Sequence, residues 1–371
     1  MTTRLDKFIQ SPITLYYALL AIWLLATAMH IPDGYLSPAT DLVMALLALP
    51  FWVKGVQKLR QTANGHNVPV IALMAALSFV IMMFNVPLPG GTTGHAVGGA
   101  LAAIILGPEI ATIAITIALV IQAFFFGDGG ILALGANAFN MAIVLPYVSY
   151  AVYQYLTKGN PLGSRRRVFA AAFGGWLGLT VAAFFAGFEF GIQPILFHSA
   201  NGTPLYAPYP LNVAIPAMVI PHALVASVVE GGITGLVVAY LQRTNQPALA
   251  FAGNHTLSPE KNGTGRFKLL WLALLALILA APLGLLAPGT AWGEWSAEEL
   301  SQNGLGFIPQ GLASLSNLWG APLAGYDLSS FKNPTLGYAL SAVLGVLLVV
   351  FVAWLFTTLF SLGKSGRSKA R

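Results

Sequence analysis

The sequence predicts an all-α polytopic membrane protein, and three observations carry that prediction. Of its 371 residues 57% are hydrophobic and 8% charged, whereas soluble domains carry roughly a quarter charged residues. Long apolar runs recur along the chain, and the basic residues gather in short clusters between them. The net charge of +6 is therefore read as bilayer orientation, which places Lys and Arg in cytoplasmic connections, and no nucleic-acid partner is expected. The absence of cysteine excludes disulfides and thiolate metal sites.

Residues 1–28 read as a leader. Arg4 and Lys7 form a basic start, ~13–25 an apolar stretch, and Ala26-Thr27-Ala28 a small-residue cleavage pattern. A spanning helix needs about 20 apolar residues, and this run is shorter. A signal peptide cut before Met29 is expected; an uncleaved anchor, or initiation at Met29 itself, are the alternatives. Cleavage and internal initiation both give Met29 a free amine, whereas retention leaves an amide there.

The leader is followed by Met29-His30-Ile31-Pro32-Asp33-Gly34-Tyr35-Leu36. With a free amine at Met29, that amine, the backbone nitrogen of His30 and its Nδ1 can close fused rings around one ion. A nitrogen-rich square-planar set suits Ni(II) or Cu(II) and accommodates Co(II). A fourth ligand must come from elsewhere.

Seven helices are expected at ~39–53, ~68–85, ~95–107, ~109–126, ~131–156, ~168–187 and ~213–242, and two more at ~267–287 and ~334–362. Several early ones are short or interrupted by Gly and Pro, which at membrane depth is tolerated where the backbone lines a cavity or packs on protein. Alternate connections carry Lys54, Lys58 and Arg60; Lys158 and Arg165–Arg167; Arg243, Lys261, Arg266 and Lys268; and the tail Lys364, Arg367, Lys369 and Arg371. The intervening connections hold one basic residue, Lys332. The rich set is cytoplasmic by the positive-inside rule, so Met29, Gly90-Gly91, Asp128 and the 188–212 loop face outside. The division expected is a core at 29–243, a polar cytoplasmic linker at 244–266, and a two-helix module at 267–371 with an outer segment of about 45 residues containing Trp292-Gly293-Glu294-Trp295 and Asp327. The sequons at Asn201, Asn254 and Asn262 are chance matches, the last two on the cytoplasmic side.

Asn85-Val-Pro-Leu-Pro-Gly-Gly-Thr-Thr-Gly-His95 is dense in turn formers and predicts a tight outer turn that brings His95 inward as the fourth nitrogen ligand. A second glycine-rich crossing holds Gln122, Gly127-Asp128-Gly129-Gly130, Gly135-Ala136-Asn137 and Asn140. It lacks the GxxxxGK[ST] of a phosphate cradle. Gln122, Asn137 and Asn140 are candidates for holding the inserted N-terminal loop, with Asp33, whereas the glycines alone would serve close helix contact. Pro221-His222 and Glu230-Gly231-Gly232 lie inside the ~213–242 helix, where ionisable groups are costly and functional by default. Glu230 is expected to anchor the core by hydrogen bonds or meet a partner, not to ligate an ion. His66, His198 and His255 read as solvated loop residues. No HExxH and no Ser-His-Asp arrangement is present, so membrane hydrolysis has little support.

From Met29–Leu36 through the Asn85–His95 run, Gly107-Pro108-Glu109, Gln122-Ala123, Phe126–Gly130, Leu134–Asn137, Asn140-Met141, Pro221-His222 and Glu230-Gly231, the chain resembles the CbiM/NikM family. These are the substrate-binding membrane subunits of cobalt and nickel energy-coupling-factor (ECF) transporters. The resemblance covers most of 29–243 and implies an S-component-like helical bundle binding Co(2+) or Ni(2+) as substrate through Met29, His30 and His95, with no permanent cofactor. It implies partners in the membrane and cytoplasm: a transmembrane coupling (T) subunit and ATPase subunits. The C-terminal part is similar to the two-helix CbiN/NikN accessory subunit, here fused, on Ala321-Pro-Leu-Ala-Gly-Tyr-Asp327, with sequence around Trp292–Glu299 replacing the expected PDGLE-like run. Family members typically begin at the methionine, so the 28-residue leader is a departure.

The expected function is thus uptake of divalent cobalt or nickel across the cytoplasmic membrane, not catalysis. A metal-binding receptor or sensor would use identical ligands, and accumulation of radioactive metal with an ATPase partner separates the two. A metal-dependent enzyme needs an open coordination position, which four nitrogens close.

Overall fold

The computed structural model describes residues 30–62, 68–88, 92–244, 249, 268–286, 292–328 and 333–362. Met29, the leader, Gly90 and Gly91, His66, His255, Lys332, the basic tail and nearly all of the linker lie outside these. The first helix, α1 (Pro38–Thr62), is capped by Ser37, whose Oγ accepts from the Thr40 amide at 3.1 Å. It continues past the expected end near residue 53, because Lys54, Gln57, Lys58 and Arg60 are good helix formers that outweigh the single Gly55. Next come α2 (Val68–Met82), a two-stranded hairpin of β1 (Val86–Leu88) and β2 (Thr92–Gly94), and α3 (Gly99–Leu106). The hairpin pairs Val86 with Gly94 in antiparallel register and occupies the expected tight turn, a small addition to an otherwise helical fold. His95–Gly98 form no regular element, and Gly98 is left-handed (φ +74°), so α3 starts later than the expected ~95.

Among the described residues four helical runs pass into π-turns, three of them in the core and one (Ser301–Leu305) in the C-terminal part; such turns widen the helix by one residue and often mark functional sites. Helix α4 (Pro108–Ile121) passes through Gln122–Phe126; α5 (Leu134–Asn137) passes through Ala138–Val144 into α6 (Leu145–Thr157). After α7 (Arg165–Gly191) and α8 (Gln193–Leu196), α9 (Leu211–Pro221) passes through His222–Ala226 into α10 (Ser227–Thr244). Each of the three core π-turns carries a buried polar residue: Gln122, Asn140 or His222. The C-terminal elements are α11 (Lys268–Ala280) with a 3-10 extension to Leu286, α12 (Ala297–Leu300), α13 (Gln310–Leu315) and α14 (Pro334–Leu362). Among the described residues five helical runs are long and apolar enough to cross a membrane: Pro38–Thr62, Pro108–Phe126, Arg165–Leu196, Leu211–Thr244 and Pro334–Leu359. Val68–Met82 and Leu270–Leu285 are shorter apolar helices. The protein is a multi-pass membrane protein.

Helix α2 is apolar on every face and buried from Val70 to Met82, as a helix without a polar side must be. It is enclosed by α4, α11 and α14, so the C-terminal helices pack on the core. Close approach depends on missing side chains. A Cβ on Gly231 would lie 2.4 Å from the Ala172 carbonyl oxygen, and one on Gly345 of α14 would lie 2.0 Å from the Phe79 ring. Phe79 cannot yield easily, being fully buried between Phe126 and Tyr326. Gly345→Ala is therefore expected to lower the thermal midpoint of the detergent-solubilised protein through overpacking of about 1–3 kcal/mol. An unchanged midpoint would mean that α14 is not held against α2 at this contact.

Candidate metal centre

The segment behind Met29 is threaded into the bundle rather than laid on it. Asn137 holds Ile31 in both directions: its Oδ1 accepts from the Ile31 amide at 2.9 Å and its Nδ2 donates to the Ile31 carbonyl at 2.9 Å. That carbonyl also accepts from the Gly130 amide at 2.9 Å. Asp33 accepts from the amides of Leu132 at 2.8 Å, Ile131 at 3.0 Å and Ala133 at 3.3 Å. Such contact needs bare backbone opposite. A Cβ on Gly130 would lie 2.2 Å from Asp33 Oδ1, and one on Gly129, whose φ is +90°, 2.9 Å from the His30 Cβ. Further along, the Tyr35 carbonyl accepts from Ala207, and Gln193 accepts from the Ser37 amide at 3.0 Å.

These bonds bring His30 beside His95. The two rings stand 4.9 Å apart between centroids and are 3% and 4% exposed. His95 is delivered by a clamp on the backbone that follows it. Glu230 of α10 accepts from the amides of Val97 and Gly98 at 2.8 Å each and of Ala100 at 3.0 Å, while Ser78 donates to the Val97 carbonyl at 2.8 Å. The Nδ1 of His95 donates to the Ala96 carbonyl at 3.0 Å, which leaves its Nε2 as the lone-pair nitrogen. The Nε2 atoms of both His30 and His95 are buried without a hydrogen-bond partner. Burial and the neighbouring His30 ring push His95 down to about 3, so the ring is neutral and its lone pair available. A cavity of about 50 Å³ opens here, bounded by His30, His95, Asn137, Asn140 and His222. His222, on its π-turn, donates from Nδ1 to the Met218 carbonyl at 2.7 Å, so its Nε2 is likewise the lone-pair nitrogen.

The Nδ1 of His30 is engaged by Asp128. Burial pushes the Asp128 carboxyl up, but the His30 ring and a hydrogen bond from Tyr326 more than offset this and hold it below the usual carboxylate range. The chelate inferred from sequence needs this same Nδ1. Among the described residues no three His, Cys, Asp or Glu side chains converge on one point as a metal set. The amine of Met29 lies outside the described residues.

The other polar residues singled out from sequence have distinct partners. Asn137 and Asp33 hold the N-terminal segment directly. Asn140 instead donates to Glu189 at 2.9 Å, and Gln122 donates to Tyr326 at 3.0 Å and Asp128 at 3.3 Å, so neither touches the N-terminal segment. Asp128, Glu189 and Tyr326 were not singled out. Asp128 lay within a motif read for its glycines, and Tyr326 is separated from it by 198 positions.

The family profile described as cobalt uptake substrate-specific transmembrane region matches residues 30–248. The chain belongs to this family of metal-uptake membrane proteins. A second profile, the PDGLE domain, matches residues 266–362. Among relatives, the fused nickel transport protein NikMN of Rhodobacter capsulatus is 50% identical over 87% of this chain and 95% of its own length. The probable fused nickel transport protein LarMN of Lactiplantibacillus plantarum is 42% identical over 87% and 96%. The cobalt transport protein CbiM of Geobacter sulfurreducens is 31% identical over 73% and 75%. A solved transition metal transporter superposes with a TM-score of 0.56 at 50% identity, covering 62% of this chain and all of that one. A truncated transition metal transporter gives 0.54 at 52% identity over 58% of this chain and 99% of its own.

In this family member, Asn137 is the joint that most directly sets the height of His30. Replacing a supporting group of a metal site commonly lowers affinity by about 10–100-fold. Asn137→Ala, which orphans both polar groups of Ile31, is expected to weaken Ni(2+) loading by that factor in chelator-competition titrations. Loading within twofold of the unaltered protein would show that the segment is seated by other contacts.

Proposed function

We propose that this chain is the substrate-capturing subunit for uptake of a divalent transition metal, nickel in the first instance and cobalt as the alternative. The observation that carries this reading is the buried His95 imidazole, whose Nε2 lacks a partner, standing directly beside the His30 ring. A neutral His95 ring 4.9 Å from that of His30 between centroids leaves a buried lone pair uncompensated, and a cation held between the two residues supplies what it lacks. Nickel is favoured because the relatives named as fused nickel transport proteins match 87% of the chain, whereas the cobalt transport protein matches 73%.

The ion is held by the freed amine of Met29, the backbone nitrogen and ring of His30, and Nε2 of His95. Closing the fused rings requires His30 Nδ1, so the ion and Asp128 compete for one nitrogen and loading turns the ring away from the carboxylate. Residues 29–243 form the capturing core and 267–371 an accessory module joined by the 244–266 linker. The metal site and mature N-terminus face outside, and the C-terminus is cytoplasmic. The sequence carries no nucleotide-binding signature, so the energy for release comes from a membrane coupling subunit and ATPase subunits.

His95→Ala is expected to fold and to lose metal loading, read as bound Ni(2+) per chain after equilibrium dialysis; undiminished loading would remove His95 from the site. Amine and amide nitrogens bind metal only when deprotonated. An α-amine ordinarily titrates near 7.7–8.0, so affinity should fall as pH drops below about 8 and loading should release protons. Calorimetry in buffers of different ionisation enthalpy reads that release, and its absence would exclude the amine and amide as donors.

A further inference from the structure

The outer segment of the C-terminal module reaches into the core beside the metal centre. The Leu323 amide donates to the Phe125 carbonyl and the Trp319 indole to the Phe124 carbonyl, each at 2.9 Å. Tyr326 goes further. Its ring stacks on Phe126 at 4.7 Å between centroids and meets Phe79 and Tyr338 on other sides. Its hydroxyl donates to Asp128 Oδ2 at 2.5 Å and accepts from Gln122 at 3.0 Å. Among the described residues Tyr326 is the only non-glycine with positive φ, at 59°, a strained setting for a bulky side chain. The aromatic stack alone would hold a phenylalanine equally well, so the hydroxyl is what the strained position delivers.

Asp128 binds His30 through Oδ1 and Tyr326 through Oδ2. When His30 turns to an ion, Asp128 loses its bond to the His30 ring while remaining buried, and a buried carboxylate without donors is costly. The Tyr326 and Gln122 bonds remain available to it. We infer that Tyr326 is a positioning residue for metal capture: it keeps Asp128 hydrogen-bonded while the His30 ring passes to the ion, so the fused module sets the affinity of a site to which it contributes no ligand. This rests on the assignment of His30 as a ligand.

The test uses the full chain with its mature N-terminus in detergent, Ni(2+) as probe, chelator competition for affinity and the Ni(II) ligand-field band for geometry. Tyr326→Phe keeps the stack and removes the hydroxyl; it is expected to weaken loading about 10–100-fold with an unchanged thermal midpoint. In an Asp128→Ala background the same substitution should change affinity less than twofold, because the hydroxyl acts through the carboxylate, and coupled residues are recognised by such non-additivity. Trp319→Phe, which loosens the same segment elsewhere, should load within twofold of the unaltered protein and leave the band in place. Tyr326→Phe loading within twofold, or an equal loss with and without Asp128, overturns the inference. Should Asp128→Ala fail to fold, a Trp319→Phe loss equal to that of Tyr326→Phe overturns it, because general loosening then suffices. His95→Ala measured in parallel separates the two readings: if it loads normally the site assignment itself fails, and if it loads nothing while Tyr326→Phe is unaffected only the role of Tyr326 fails.

Discussion

The two-way hydrogen bond between Asn137 and the backbone of Ile31 is the constraint on which the metal centre depends. A chain end is ordinarily the least ordered part of a protein, yet here the segment entering the described fold is pinned through donor and acceptor at once. Asp33 adds three amide bonds from the 131–133 turn, and Gly129 and Gly130 give the clearance. The price is a buried backbone that only a matched partner satisfies, which is why a side chain carrying both an amide donor and an amide acceptor stands opposite.

Three buried carboxylates around the candidate site, Asp33, Glu230 and Asp128, organise hydrogen-bond donors. Asp33 gathers the amides of one turn, Glu230 gathers those behind His95, and Asp128 faces His30 and Tyr326. An ionisable group at membrane depth is tolerated when fully hydrogen-bonded, and each of these uses its charge to fix a backbone or ring that brings a nitrogen to the cavity. His30 and His95 then stand ring to ring at the cavity, an arrangement suited to a nitrogen-preferring ion.

Much of the helical order was legible because apolar runs and basic clusters report membrane spans directly. Helix ends were less so: α1 outruns its apolar stretch on good helix formers, and α3 begins only after the left-handed Gly98. The π-turns at Gln122, Asn140 and His222 were invisible, since the same residues read as ordinary α-helix until tertiary contacts widen them. His30 and His95 could be picked out because chelation by an N-terminal residue pair is local chemistry and a glycine-rich turn advertises an inward residue. Asp128 and Tyr326 could not, because their pairing spans 198 positions and depends on a segment whose composition looks like plain outer loop. Asn140, chosen for its neighbourhood, turned to Glu189, a carboxyl hidden inside the apolar stretch of α7.

The proposed chelate at Met29 makes one measurement decisive. Intact-mass analysis of protein purified from membranes, with bound metal counted on the same sample, reads the N-terminus and the occupancy together. Chains beginning at Met29 should carry one nickel or cobalt ion each, and chains that retain residues 1–28 should carry none. Leader-bearing chains with a full complement of metal would contradict the proposed role of the Met29 amine.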